Sequence, residues 1–145
     1  MSTSDPHNLE RFVDAQRGVF EIALAELSGG SKQSHWMWFI FPQLAGLGRS
    51  RTAQFYGLSR ADEARAYLAH PVLGSRLRGS AEALMPWVGK RSAAQILGPI
   101  DAMKLRSSLT LFDRVAPDDV FASALDAFFG GEADERTLAL LAPTR

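Results

Sequence analysis

The stretch LERFVDAQRGVFEIALAELSGG, residues 9–30, decides the fold class. Leu9, Phe12, Val13, Phe20, Ala23, Leu24 and Leu27 recur at three- and four-residue spacing, which lines them along one face of an amphipathic helix. Asp5-Pro6 or Asn8 can start that helix, and Gly29-Gly30 can stop it by admitting left-handed backbone. Gln16 falls inside the apolar stripe, four residues from Phe12 and four from Phe20. A glutamine there needs hydrogen-bond partners or costs about 1–3 kcal/mol. It is either a satisfied core amide or a side chain reaching into a site.

The same period continues down the chain. Ser34 can cap a short helix before Pro42, and this helix is apolar nearly all round, so it is expected to run through the middle of the fold. A glycine loop, QLAGLGRS, precedes a short helix closed by Gly57. Ser59 can cap RADEARAYLAH, and after Pro71 the pattern resumes with Leu73, Leu77, Ala81 and Leu84 on one face. SAAQILG, DAMKLRSSLTLFDRVA, DVFASALDAFFGG and DERTLALLA complete the series. No run alternates as a strand would, and Val and Ile are scarce beside Leu and Ala. The expectation is an all-α fold, a single domain over residues 1–145 with about six to eight short helices.

Composition narrows the function classes. The 145 residues are 46% hydrophobic and 22% charged, sufficient for one core. Sixteen basic residues balance sixteen acidic ones, which argues against a generally basic nucleic-acid binder. The absence of cysteine excludes disulfides, thiolate metal sites and thiol nucleophiles, and suits a reducing compartment. MSTSDPHNLE lacks the basic and apolar regions of a signal peptide, and the longest apolar run, Trp36 to Phe41, is six residues against the roughly 20 that span a bilayer. A cytoplasmic protein with no membrane partner is expected. His7, His35 and His70 lack metal-ligand spacing, and GLGRS lacks the spacing and lysine of a phosphate loop, so neither a metal nor another cofactor is expected.

Two stretches gather groups capable of chemistry. In SHWMWFIFPQ, residues 34–43, Trp36 and Trp38 cannot both point the same way on a helix: one suits the core and the other a cleft wall. His35 is either a core-edge hydrogen bonder or a candidate catalytic acid or base. Gln43 follows a proline that fixes the backbone, which suits an aimed amide and equally well a helix stop. In DAMKLRSSLTLF, residues 101–112, Asp101, Lys104 and Ser108 stack along one line beside an apolar face. Asp101 and Lys104 are either a surface ion pair or a lysine held at a cleft wall to face an anionic or carbonyl-bearing ligand. A lysine-activated serine at Lys104 and Ser108 is the weakest of these readings, because an i, i+4 Lys–Ser pair arises often by chance.

FVDAQ at 12–16, SHWMWFIFPQLAGLGRS at 34–50, AYLAHPVLGSRL at 66–77, DAMKLRSSLTLF at 101–112 and FFGGEADERTLALL at 128–141 together resemble the DUF1810 family of small bacterial, mainly helical proteins of unassigned function. The resemblance covers nearly the whole chain. Where that family usually has Asp-Asp-x-Lys, this chain has Asp101-Ala102-Met103-Lys104, keeping the lysine and losing one carboxylate. Some members carry a calpastatin-like label, which implies a disordered inhibitor unlike this globular, glycine-punctuated sequence. The resemblance singles out Gln16, His35, Trp36, Trp38, Gln43, Lys104, Ser107 and Ser108 as candidate ligand-binding residues. The leading expectation is a protein that binds a small polar or anionic, nucleotide-like ligand in a polar and aromatic cleft. The rival is an interaction module whose exposed aromatic patch takes a protein partner.

Overall fold

The computed structural model describes residues 5–142; of the N-terminal decapeptide read above for a signal, residues 1–4 lie outside it. The chain is all-α. Its helices are α1 (Glu10–Gln16), α2 (Phe20–Ser28), α3 (Met37–Ile40), α4 (Arg51–Tyr56), α5 (Ala61–Ala69), α6 (Leu73–Leu84), α7 (Ala93–Leu97), α8 (Pro99–Val115), α9 (Val120–Phe129) and α10 (Glu135–Leu141), with 3-10 turns at Ala45–Leu47 and Met85–Trp87. Among the described residues, the β-type pairing consists of an isolated parallel bridge between Leu44 and Leu58. No helix there is long and apolar enough to cross a membrane.

Among the described residues ten helices stand where about six to eight were expected, and one reason lies in the opening stretch. The apolar stripe of residues 9–27 is carried by two helices, because Gly18 adopts φ of +73° and breaks the chain between Gln16 and Phe20. Gln16 is therefore the last residue of α1 rather than a mid-helix residue. Asp5 starts α1 as expected: its carboxylate accepts from the Leu9 and Glu10 amides at 2.8 and 3.1 Å. Ser34 and Ser59 do not cap the helices assigned to them. Their hydroxyls donate instead to carboxylates, of Glu26 at 2.6 Å and of Glu63 at 2.7 Å. Asp119 caps α9, and left-handed Gly130 ends it.

One contiguous apolar cluster joins these elements. Helix α8 lies at its centre, packed against α5, α7, α9 and α10. A chain of aromatic contacts crosses the core: Phe12 meets Tyr67 edge-on at 5.0 Å, Tyr67 meets Phe112 at 5.6 Å, and Phe112 meets Phe121 at 5.6 Å. Of the apolar run expected at the centre, Trp36, Met37, Ile40 and Phe41 are buried, whereas Trp38 and Phe39 are half-buried.

Helices α5 and α6 meet so closely at Gly74 that a Cβ there would overlap the Leu68 carbonyl, while Gly79, on the same helix, faces open space. Gly74→Ala is expected to destabilise the protein by about 1–3 kcal/mol through overpacking. Gly79→Ala is expected to stabilise it by about 0.5–1 kcal/mol through helix propensity. Urea unfolding of the two variants checks the pair, and equal effects would show that the α5–α6 joint has room to relax.

Candidate functional site

The site begins with a carboxylate that sequence reasoning passed over. Glu26, in the last turns of α2, accepts from the Gln33 amide at 2.8 Å, the Ser34 amide at 3.0 Å, the Ser34 hydroxyl at 2.6 Å and the Trp36 indole N–H at 2.8 Å. Desolvation pushes the Glu26 pKa up, but these hydrogen bonds outweigh it and lower the value from 4.5 to about 2. Glu26 thus fixes the 33–36 loop and seats Trp36 in the core, fully buried. Trp38, two residues further on, is left half-buried.

A ladder of charges and rings continues from there. The Lys32 ammonium lies 5.1 Å from the Trp36 ring centroid and 2.9 Å from Asp101 Oδ2. Asp101 Oδ1 is 3.2 Å from Lys104 Nζ, which in turn sits 3.8 Å over the Trp38 ring. One carboxylate therefore serves two ammonium groups, each laid on a tryptophan. Contacts of this kind contribute about 0.5–2 kcal/mol when partly desolvated. Their first effect is positional, since they hold the Lys104 charge at a defined place.

That place is a cleft of about 230 Å³. One wall is Trp38, Gln43, Leu47 and Gly48; another is the N-terminal half of α8, with Ile100, Met103, Lys104 and Ser107; Asp134 and Arg136 close it. The first wall is pinned by backbone bonds across the isolated bridge, Leu58 N–H to Gln43 O and Ala45 N–H to Leu58 O, both 2.9 Å. A Cβ on Gly48 would meet the Ala53 Cβ at 2.5 Å, so glycine lets the loop lie against α4. The third wall is tied to α8, where the Arg106 guanidinium donates to the Glu132 and Ala133 carbonyls and the Thr110 hydroxyl accepts from the Asp134 amide.

The structure brings Trp38, Gln43, Lys104 and Ser107 to this cleft and places the other four candidates elsewhere. Gln16 is buried in the core: its amide donates to the Phe39 carbonyl at 2.8 Å and the Tyr67 hydroxyl at 3.1 Å, and its carbonyl accepts from Arg76 at 3.2 Å. This is the satisfied core amide. Trp36 belongs to the core as well. His35 is exposed and lies outside the cleft lining, so no acid or base role is built on it there. Ser108 is buried, and its hydroxyl has no hydrogen-bond partner among the described residues. Ser107 donates to the Met103 carbonyl one turn back at 3.2 Å.

Sequence reasoning missed Lys32, Glu26, Leu47, Ile100, Met103, Asp134 and Arg136. Within the lining two cations, Lys104 and Arg136, face one carboxylate, Asp134. The Gln43 side chain is the distinctive polar group. It belongs to a residue only 9% exposed, it lines the cleft, and its carboxamide makes no hydrogen bond with the described residues. A larger hollow of about 390 Å³ beside Arg65, Arg114 and Leu138 contains no buried polar side chain. Among the described residues, no three His, Asp or Glu side chains are grouped to hold a metal ion.

These features define a one-core helical protein with a cation-bordered cleft between its central helix and its C-terminal one. The chain belongs to the DUF1810 family, described as proteins of unknown function, whose profile matches residues 6–141. It is similar to the conserved hypothetical protein Rv1873 from Mycobacterium tuberculosis, whose crystal structure matches with 48% identity and a TM-score of 0.92, over 97% of this chain and 100% of that one. No curated protein gives a significant match.

The Glu26 contacts predict acid sensitivity. Because the folded pKa lies below the ordinary value, the stabilisation is fully present above pH 4.5 and is lost as pH falls through about 2. Asp5, Glu63 and Asp119, also lowered, add to this loss. Glu26→Gln is expected to flatten the dependence without abolishing it, as measured by thermal melts between pH 2 and 6.

Proposed function

We propose that the Lys104 cleft binds a small anion carried on an apolar body, in the cytoplasm. The observation that carries this reading is the Gln43 carboxamide: it lines the cleft on a largely buried residue, its polar atoms are reached by solvent, and neither its N–H donors nor its carbonyl bonds to a described residue. A ligand in the cleft would take the positions that water otherwise fills on this amide. Lys104 and Arg136 supply positive charge from two different elements, and Leu47, Ile100 and Met103 supply apolar contact. Trp38 acts chiefly as a seat for the Lys104 ammonium, which covers one face of its ring. That arrangement disfavours stacking a nucleobase on the same face. The cleft is smaller than the roughly 300–1,000 Å³ of drug-sized sites, so it suits a small ligand or one end of a longer one.

A second reading has its own observation. Ile100 and Met103 are 70% and 71% exposed, the most exposed large hydrophobic side chains among the described residues, and both line this cleft. An interaction surface would present them in this way.

Titration with acetate, inorganic phosphate, AMP and N-acetyl-leucine, followed by tryptophan fluorescence, tests the anion site. At least one anion should saturate it, and Lys104→Met and Gln43→Leu should each weaken that binding about tenfold, or 1.4 kcal/mol. Neither variant should lower the melting temperature by more than about 8 °C. Saturation by none of the four, or binding indifferent to both substitutions, would sink the reading.

A further inference from the structure

We infer that the natural occupant of this cleft is the carboxyl-terminal end of a peptide whose last residue is apolar. The inference rests on the anion-binding reading above. Three chemistries meet in the lining, and such a chain end is complementary to all three.

The first is charge. Lys104 and Arg136 line the cleft with Asp134, and Asp101 behind Lys104 is shared with Lys32, so these three cations and two carboxylates leave a single net positive charge. This matches a carboxylate monoanion. A phosphate dianion would have its second charge uncompensated, and the Asp134 carboxylate in the same wall would repel it.

The second is the Gln43 side chain. A dianionic phosphate monoester could use its N–H donors but, with no proton to give, would leave its carbonyl facing another acceptor. A peptide group presents one N–H and one C=O, and so can use both halves of the carboxamide. The backbone of Gln43 is held across the bridge to Leu58, which fixes where that amide begins.

The third is the apolar edge of α8. Ile100 and Lys104 stand four residues apart on one helix face, as do Met103 and Ser107, so each apolar side chain adjoins a polar one. A carboxylate at Lys104 would bring the attached side chain against Ile100 and Met103. Their exposure near 70% leaves apolar surface that a free amino acid would cover only in part, whereas a continuing peptide would lie over it. An open cleft of about 230 Å³ holds one chain end and leaves the remainder outside.

Calorimetry on the full chain tests this with four probes: N-acetyl-Ala-Leu with a free carboxylate, the same dipeptide as its C-terminal amide, inorganic phosphate, and decapeptides ending in leucine, methionine or phenylalanine. The free carboxylate should bind at least tenfold more tightly than the amide, and Lys104→Met or Arg136→Gln should erase that difference. The decapeptides should bind more tightly than the dipeptide, with Met103→Ser removing the advantage. Equal affinity for acid and amide, or for dipeptide and decapeptide, would overturn the inference. Lys104-dependent binding of phosphate with no binding of either peptide class would also overturn it while leaving the anion site standing. Loss of Lys104-dependent binding for every probe would remove both.

Discussion

Over its middle turns helix α8 is enclosed by protein all round, and its composition there constrains everything around it. Six consecutive residues, Ser107 to Phe112, are buried, three of them hydroxyl-bearing. A buried helix leaves its side-chain polar groups few places to find partners, and each is costly if unanswered. Thr110 donates to the Arg106 carbonyl and accepts from the Asp134 amide; Ser107 turns back to the Met103 carbonyl. The Thr110 contact holds the entry to α10 against α8, and with it the third wall of the cleft. The orphaned Ser108 hydroxyl has no such answer among the described residues, and its packing environment offers no physical reason for a hydroxyl there.

The same helix couples core to cleft through Asp101. Its two oxygens hold two lysines from different segments, each resting on a tryptophan. Lys104 contacts Trp38 from 66 positions along the chain, and no periodicity in the sequence connects the two. That distance explains why the cleft was only partly legible beforehand. Trp38, Gln43 and Lys104 stood out as residue types poorly suited to plain core or plain surface. Lys32, Arg136 and Glu26 carry no such signal, because the groups they meet come from other segments.

The fold was more legible, since amphipathic spacing is a local property that packing only has to ratify. The helical class and the need of Gln16 for partners both follow from the stripe at residues 9–27. The break at Gly18 does not. One glycine costs a helix only about 1 kcal/mol, so the pattern reads straight through it. What splits the helix is tertiary: a turn there sets Gln16 against Phe39 and Tyr67. Serines 34 and 59 were misread for a related reason. Local capping competes with any acceptor the fold brings near, and the Glu26 and Glu63 carboxylates win.

The three walls of the cleft come from residues 38–48, 100–107 and 134–136. On the ribosome these emerge in that order, and domains can begin to fold as they emerge. A chain ending before Asp134 would contain the residues of the aromatic relay through Phe112 and Phe121 and both partners of the Lys104–Trp38 contact. It would lack the second cation, Arg136, and the Asp134 amide that donates to Thr110. Residues from Asp134 onward thus complete the cleft that the earlier two segments begin, and they pack Leu141 on the same core.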